Sequence, residues 1–295
     1  MAIYNLGSIN ADHFYRLAHL PQPGETLAAQ SYALGLGGKG ANQSVAAARA
    51  GAEVRHVGAV GADGRWMAVR LADLGVDCSA VLELPEPSGH AIIQVDEAGE
   101  NAIVLYPGAN CAIAGEDVRR AMTGAGPEDS LILQNETSAQ VEAARFAQEQ
   151  GLFVVYSAAP FEAEAAQAVM RYVSLLILNE VEAGQLCSAL GVTLADLPVP
   201  HVLVTLGSRG AVWHDLGAGV EVRVPAFPVT PVDTTAAGDT FAGYLVAGLA
   251  EGLSPAAAMR LAAGAAALKV TQAGTADAIP ARDQVNAFLA AQPSE

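Results

Sequence analysis

The sequence predicts an α/β fold with three layers, in which helices cover both faces of a parallel sheet, together with a small separate β-sheet. The first observation is that apolar strand-like segments alternate with helical segments over most of the 295 residues. Strands separated by helices form βαβ units, and their parallel sheet has helices on both faces. The second observation is that His13–Leu36 and Gly89–Tyr106 resemble strands with no helix between them.

The elements of the main sheet follow in order from the N-terminus. Ala2–Leu6 is expected to be the first strand, and it lacks the basic start and long apolar run of a signal peptide. Further strands are expected at Val54–Val60, Ser130–Gln134, Phe153–Ser157, Leu175–Leu178 and His201–Thr205, and helices at Asn42–Ala50, Glu116–Met122, Ala139–Gln150, Phe241–Ala250 and Asp283–Ala291. Crossovers between parallel strands are expected to be right-handed.

The two helix-free stretches predict a small β unit beside the main sheet. Ala91–Val95 and Asn101–Tyr106 flank the polar segment Asp96–Glu100, which is typical of a hairpin. Antiparallel pieces inserted in a parallel α/β domain often form a lid or a dimer surface. We therefore expect residues 10–36 and 89–106 to form a separate β unit, either a β lid or a dimer surface, and residues 1–9, 37–88 and 107–295 to form one large α/β domain.

The charge balance excludes several classes of partner. The chain has 15 basic and 31 acidic residues, a net charge of −16, which repels nucleic acid and anionic membranes. The Ala-rich stretch Leu261–Val270 is too short to span a bilayer and contains a lysine. The three cysteines, Cys78, Cys111 and Cys187, are odd in number and lack metal-binding spacing. They predict reduced thiols in a cytoplasmic protein.

A glycine-rich segment, Gly35–Asn42, opens a predicted helix. It matches G-x-G-x-x-G, but a dinucleotide site would follow the first strand, which ends near Leu6. A P-loop is excluded because Gly40, and not Ser or Thr, follows Lys39. Glycines let a ligand approach the backbone, and the side chains of Lys39 and Asn42 can bind hydroxyls. The segment therefore favours a polyhydroxylated ligand, with a tight turn bearing a solvated lysine as the alternative.

A second segment of small residues precedes the helix at Phe241–Ala250. The N–H groups of Ala236, Ala237, Gly238 and Asp239 would be accessible there, and such a turn binds anions. A carboxylate repels an anion unless it has a chemical role. In phosphoryl transfer the attacking hydroxyl must lose a proton, which suits Asp239 as general base. The alternative is that Asp239 only caps the helix.

Taken together, these segments resemble the ribokinase (PfkB) family of carbohydrate kinases. The similarity covers the whole chain in order. It is carried by the opening segment Asn5–His13, the two signature segments Gly37–Gln43 and Asp233–Phe241, and the intermediate segments Pro107–Asn110, Leu178–Glu182 and Thr205–Gly210. The resemblance implies a parallel sheet flanked by helices, with a small β lid that pairs into a homodimer.

The resemblance also implies a role for each matching residue. Asp239 would be the catalytic base, beside an anion hole formed by Ala236, Ala237 and Gly238. The sugar would be bound by Asn10, Asp12, Gly38, Lys39, Asn42, Glu136 and Asp239. Asn179 and Glu182 would contact the phosphates of ATP, with Glu182 positioning Mg²⁺ through water, and Thr205, Gly207, Ser208 and Gly210 would line the nucleotide pocket.

Monovalent cation activation, by K⁺, is implied less directly. Asp233, the backbone of Thr235, and a loop around Lys269–Ala278, which contains Gly274, match the family's cation site, but Ala278 stands where the family has a serine hydroxyl. The neighbouring Asp277 could compensate, or could simply be a surface residue. Ala263 likewise replaces an asparagine near the expected adenine pocket. Near the sugar, Asn135, Ser157 and His90 also depart from the family pattern.

The reaction implied is the ATP-dependent conversion of D-ribose to D-ribose 5-phosphate. Two alternatives stay open. The same chemistry could act on another pentose, a ketose or a nucleoside. The chain could also be a sugar or nucleotide sensor without catalysis, although that would predict loss of Asp239 or Gly238, and both are present.

Overall fold

Nine strands form the main sheet of the computed structural model, which describes residues 1–292. In chain order they are β1 (Ala2–Leu6), β4 (Glu53–Val60), β5 (Asp77–Glu83), β8 (Ser130–Gln134), β9 (Phe153–Ser157), β10 (Leu175–Asn179), β11 (His201–Thr205), β12 (Ala211–Asp215) and β13 (Val220–Val224). The spatial order is β13-β12-β11-β10-β9-β8-β1-β4-β5. The first strand is therefore an interior strand, third from the β5 edge, with later strands added on both sides.

The expectation of a parallel sheet is correct for seven of these strands and wrong for the other two. β12 and β13 pair antiparallel with β11 and with each other. They are joined by a short turn, which permits only an antiparallel hairpin. The sheet is therefore mixed, with the hairpin at one edge.

The second sheet has four strands, β2 (Asn10–Arg16), β3 (Ser31–Gly37), β6 (Gly89–Val95) and β7 (Asn101–Tyr106), in the order β3-β2-β6-β7. The β6–β7 hairpin predicted from the sequence is confirmed. β2 pairs antiparallel with β3 and parallel with β6. The strands fall in the two helix-free stretches, and their assignment as a lid stays a prediction.

Two hydrophobic clusters lie on opposite faces of the main sheet and make the three layers. One face is covered by α1 (Lys39–Arg49), α2 (Arg65–Asp73), α7 (Ala237–Ala250), α8 (Pro255–Val270) and α9 (Arg282–Ala290), and the other by α3 (Gly115–Ala121), α4 (Gln140–Glu149), α5 (Ala163–Met170) and α6 (Glu180–Leu190). Short apolar side chains dominate both clusters, which brings helices and sheet close together. Within residues 1–292, no helix is both long and apolar enough to cross a membrane.

Small residues allow the first helix to approach the first strand. A Cβ on Gly40, in α1, would lie 2.3 Å from the Cα of Gly7, just after β1. Real Cβ atoms do not approach a backbone atom so closely, so the contact requires glycine. The contact seats the N-terminus of α1 against the end of β1, where the candidate site lies.

Candidate active site

The predicted site residues gather at the carboxyl ends of the parallel strands. Asn179 and Thr205 are the last residues of β10 and β11, and Glu136 follows the last residue of β8 by two positions. In open α/β sheets, ligands bind at this edge. The structure thus places the nucleotide candidates over β10 and β11, and the sugar candidates over β8 and β1.

The N-terminus of α7 has the form expected of an anion site. Ala236 precedes the helix in a left-handed conformation, with φ 59°, which an alanine adopts at a cost of about 1 kcal/mol. The first N–H groups of a helix have no partner within the helix. Ala237 N–H donates to the Thr234 carbonyl at 3.2 Å, so the groups of Gly238 and Asp239 are the ones left for a ligand.

Asp239 is the third residue of α7 and does not cap it. No side chain caps this helix. Instead, the Asp239 carboxylate accepts one hydrogen bond from Asn42 Nδ2 at 3.0 Å and another from Gln43 Nε2 at 3.2 Å. Both donors lie on α1. The carboxylate is therefore held across the gap between two helix N-termini, which argues against the cap interpretation.

A chain of buried polar groups supports Gln43 from behind. Gln43 Oε1 accepts from Gln134 Nε2 at 2.9 Å, and Gln134 Nε2 also donates to Asn5 Oδ1 at 2.8 Å. The chain continues from Asn5 Nδ2 to Ser44 Oγ at 2.8 Å, from Ser44 Oγ to His56 Nδ1 at 2.8 Å, and from His56 Nε2 to the Gly7 carbonyl at 3.0 Å. Burial lowers the pKa of His56 to about 4, so its ring is neutral near pH 7. This series of hydrogen bonds links Asp239 to Gly7, just after β1.

The sugar-binding candidates form a polar pocket beside Asp239. Glu136 accepts from the Ser8 hydroxyl and from the Lys39 backbone N–H, the latter at 3.1 Å. The Asp12 side chain is buried, and no group in residues 1–292 hydrogen-bonds to its carboxylate. Asn42 Oδ1 is also buried without a partner in that range. Unpaired acceptors of this kind fit a ligand that brings several hydroxyl donors.

Two further sugar candidates are placed by their neighbours. Asn10 Oδ1 accepts from Asn110 Nδ2 at 2.8 Å, and Asn110 Oδ1 accepts from the Ile9 N–H at 3.0 Å. Gly38 has φ 95°, and a Cβ there would lie 2.7 Å from the Ser8 carbonyl oxygen. Both observations explain why amide and glycine residues occupy these positions.

The electrostatics of the pocket are dominated by the carboxylates of Asp12, Glu136 and Asp239 and by the ammonium of Lys39. Burial, with the charges of Glu136 and Asp239, raises the pKa of Asp12 to about 7. Burial likewise raises the pKa of Glu136, although Lys39 opposes the shift. The charge of Asp239 raises the pKa of Lys39 against the effect of burial. These shifts favour the protonated forms of Asp12 and Glu136 and the charged form of Lys39.

The nucleotide candidates lie on the neighbouring strand ends. Asn179 caps α6: its Oδ1 accepts from Glu182 N–H at 2.9 Å, and Glu182 Oε2 accepts from Asn179 N–H at 2.7 Å. This capping box leaves the second carboxylate oxygen of Glu182 free. Thr205 ends β11, and the turn after it contains Gly207 (φ 59°), Ser208 and Gly210 (φ 95°).

The predicted cation ligands are brought together, but their polar atoms already have partners. Asp233 Oδ1 accepts from Thr235 N–H at 2.9 Å, and Asp233 Oδ2 accepts from Gly274 N–H at 2.9 Å. The Lys269 ammonium donates to the Asp233 carbonyl at 3.2 Å. Ala278 is buried nearby in sequence and offers no side-chain oxygen. These atoms form a closed network in place of an open cation cage.

Comparison with known proteins decides the family. The model of the pfkB family of carbohydrate kinases matches residues 3–282. The chain belongs to the pfkB family of carbohydrate kinases. This confirms the resemblance inferred from the two signature segments, and it makes the protein a sugar kinase in class.

Individual pfkB-family relatives align over almost the entire chain. The ribokinase of Haemophilus influenzae is 37% identical over 96% of this chain and 97% of its own length. The deoxyribokinase of Salmonella typhi is 32% identical over 98% of this chain and 99% of its own. The structure of Arabidopsis thaliana ribokinase complexed with ribose and ATP superposes with a TM-score of 0.85 at 30% identity, covering 98% of each chain.

Several residues of this pfkB-family site were missed or given no role by sequence reasoning. Ser8, Gln43 and Asn110 lie within the segments that carried the resemblance, so the signal was present. His56 and Lys269 lie outside them. A histidine in an apolar strand and a lysine in an Ala-rich helix are the signals that could have marked them, since buried polar groups need partners.

Proposed function

We propose that the chain transfers the γ-phosphate of ATP to the 5-hydroxyl of D-ribose, giving D-ribose 5-phosphate. The observation that carries the proposal is the position of Asp239. Its carboxylate lies at the N-terminus of α7, between free helix N–H groups and a pocket of unpaired hydroxyl acceptors. The H. influenzae and A. thaliana ribokinases, similar along their full length, support ribose as acceptor.

In the proposed mechanism Asp239 takes the proton of the attacking hydroxyl. Asn42 and Gln43 hold one carboxylate oxygen each, which directs the remaining lone pairs toward the pocket. The N–H groups at the start of α7 then stabilise negative charge on the transferring phosphoryl group. The N–H of Ala237 would need to release the Thr234 carbonyl to join them.

The remaining pocket residues would bind the sugar hydroxyls. Asp12 and Asn42 offer free acceptors, Glu136 offers its second oxygen, and Lys39 and Asn10 add a charge and an amide. Each sugar hydroxyl can both donate and accept, so mixed acceptors and donors suit it. Gly38 would let the backbone approach the ring.

ATP would lie across the ends of β10 and β11. Thr205, Gly207, Ser208 and Gly210 would line its base and ribose, while Asn179 and Glu182 would face its phosphates. The free oxygen of Glu182 is a hard ligand that fits Mg²⁺ held through water, and the metal would neutralise phosphate charge. The charges of Asp239 and, to a smaller extent, of Glu136 and Glu182 raise the pKa of Lys39, so its ammonium would serve both the sugar and the phosphates.

We further propose that the second sheet closes over the sugar and pairs with a second copy. All six residues of β7 are exposed, and they include the apolar run Ile103–Tyr106. An exposed apolar edge strand is a surface that proteins normally cover. Light scattering at several concentrations would test the homodimer.

The reduced cysteines also support the cytoplasm as the proposed location.

A second acceptor class has a specific observation in its favour. Asn135 Nδ2 donates to the Pro160 carbonyl at 2.9 Å beside Glu136, and His90 lies on the second sheet. Polar groups at these positions would suit a substrate larger or differently hydroxylated than ribose. The paired acids Asp12 and Glu136 favour a free sugar over a nucleoside.

The test is a coupled assay of ADP release with Mg-ATP and a panel of acceptors: ribose, deoxyribose, fructose, tagatose and several nucleosides. Ribose should give the highest kcat/KM, and phosphorus NMR should show a 5-phosphate. Asp239→Asn serves as the control for background ATP hydrolysis. A better acceptor from the panel would overturn ribose, and no turnover with any acceptor would overturn the kinase proposal.

A further inference from the structure

A buried lysine lies outside the proposed catalytic machinery. Lys269 is near the C-terminal end of α8, and its side chain is 0% exposed. Lysine is almost never fully buried unless it is paired. Burial lowers the pKa of Lys269, and the charge of Asp233 opposes this shift. Burying this ammonium costs free energy, and a function of Lys269 would explain its position.

The ammonium group binds backbone carbonyls and not a carboxylate. Lys269 Nζ donates to the Asp233 carbonyl oxygen at 3.2 Å and to the Gln272 carbonyl oxygen at 3.3 Å. Carbonyl oxygens from two separate segments around one positive charge are also the ligands that a monovalent cation takes in proteins. The ammonium thus occupies the position of a cation between two loops.

The residues around it do not fit an added K⁺ ion. Both carboxylate oxygens of Asp233 accept backbone N–H groups, those of Thr235 and Gly274. Ala278 supplies a methyl group where a hydroxyl ligand would be needed. A second positive charge beside a buried ammonium would also be repelled, because the interaction is poorly screened there.

The choice of residue type at position 269 supports a specific need for an ammonium. The chain has 15 basic residues, and only Lys39 and Lys269 are lysines. Every other basic residue is an arginine. A guanidinium is planar and larger, whereas an ammonium is a compact point charge close in size to K⁺. The Lys269 ammonium therefore has the shape that suits the place of a spherical cation.

The loop that Lys269 holds leads directly into the anion hole. Asp233 is three residues before Ala236, whose left-handed conformation starts α7. The Asp233 and Val232 N–H groups both donate to the Val270 carbonyl, at 3.1 and 2.7 Å, so the loop is anchored to the end of α8. Fixing the Asp233 carbonyl from this side helps hold the strained turn that presents the helix N–H groups.

We propose that the Lys269 ammonium is a tethered replacement for a monovalent cation, so that this kinase needs no K⁺ for turnover. The inference rests on the proposed phosphoryl transfer. Lys269 acts as a positioning residue: it touches neither substrate, and it works through the loop at 232–236.

The experiment measures kcat and KM against KCl at constant ionic strength, kept with tetramethylammonium chloride, for the wild type, Lys269→Met and Arg260→Met. Wild-type kcat should be unchanged by K⁺. Lys269→Met should lose roughly tenfold or more in kcat without K⁺, and K⁺ or NH₄⁺ should restore most of it. Arg260→Met removes a positive charge from the same helix, where the guanidinium lies 5.3 Å from the Phe227 ring, and should show no dependence on K⁺.

A second measurement covers an inactive variant. The midpoint of thermal unfolding should rise with K⁺ in Lys269→Met, because the carbonyl oxygens of Asp233 and Gln272 can then coordinate the ion. In the wild type it should stay constant. A wild-type enzyme that turns over ribose only with K⁺ would overturn the inference and leave the kinase proposal intact. A lack of K⁺ effect on both kcat and unfolding of Lys269→Met would also overturn it. Absence of turnover in every salt would instead refute the kinase proposal.

Discussion

Replacing Asp12, the unpaired acid in the sugar pocket, should stabilise the ligand-free protein in a pH-dependent way. Burial and two neighbouring carboxylates raise the pKa of Asp12 to about 7, against an ordinary value of 3.8. The folded protein therefore holds this proton more tightly than the unfolded chain. Below about pH 4, Asp12 does not lower the free energy of unfolding, because it is protonated in both states. Between pH 4 and pH 7 it lowers that free energy by an increasing amount, and above pH 7 the loss stays constant.

The size of the effect follows from the shift. About three pH units correspond to about 4 kcal/mol, an upper limit, because the pocket can relax or admit water. Asp12→Asn keeps the shape and removes the charge. Its gain in stability over the wild type should be near zero at pH 4 and approach that limit at pH 8.5, or roughly 8 °C in the unfolding midpoint.

The assay is thermal unfolding of ligand-free protein across this pH range. Asp73→Asn is the matched control, since Asp73 is an exposed acid on α2, away from the pocket. Ribose should bind the wild type more weakly below pH 7, where it must displace a proton. Parallel pH profiles for Asp12→Asn and the wild type would refute the argument that the empty pocket strains this acid.

Three further substitutions have expected outcomes. Asp239→Asn should lower kcat by about 10²–10⁴-fold in the ADP-release assay, while calorimetry shows ribose still bound; a kcat near that of the wild type would exclude the base role. Ala236→Gly should raise unfolding stability by about 1 kcal/mol, since glycine adopts φ 59° freely, and a loss would contradict the strain. Gly40→Ala should cost about 2 kcal/mol or more, because its Cβ would lie 2.3 Å from the Gly7 Cα. Gly184→Ala, a helical glycine with open space around its Cβ, should be neutral or stabilising and is the control for Gly40→Ala.

Sequence patterns predicted the buried strands best. The expected bounds Ala2–Leu6, Ser130–Gln134, Phe153–Ser157 and His201–Thr205 match the structure residue for residue. Strands buried on both faces are short continuous apolar runs, which end where polar loops begin. The hairpin at 211–224 was not predicted, although Val220–Val224 alternates apolar and polar residues as a half-exposed strand does.

Helix starts at the site were placed too late. The sequence indicated helices from Asn42 and Phe241, whereas α1 begins at Lys39 and α7 at Ala237. Glycine and alanine at these starts hid the boundary, because the side chains that usually cap helices are absent. At α7 the missing cap leaves the N–H groups of Gly238 and Asp239 to the proposed ligand, whereas at α1 the first N–H groups already donate to Glu136 and Ser8.

Contacts between distant parts of the chain could not be read from the sequence. Asn42 and Asp239 are 197 residues apart, and their hydrogen bond depends on how α1 and α7 pack. The resemblance to a known family supplied the role of Asp239, but it gave Gln43 none. Lys269 was noted as a charge inside an apolar stretch and as one end of the loop that matches the cation site, but nothing in the local pattern indicates that its ammonium contacts the Asp233 carbonyl.

The direction of the buried hydrogen bonds explains why Gln43 presents a donor to Asp239. A backbone carbonyl can only accept, so the Gly7 oxygen requires neutral His56 to donate from Nε2 and to accept at Nδ1. The Ser44 hydroxyl therefore donates to His56 and accepts from the Asn5 NH₂ group, which leaves the Asn5 oxygen to accept from Gln134. The Gln134 NH₂ group also donates to the Gln43 oxygen. At the end of the chain the Gln43 oxygen is occupied, and only its NH₂ group can face the carboxylate. The orientation of the proposed base is thus fixed from the end of β1, through groups that no solvent reaches.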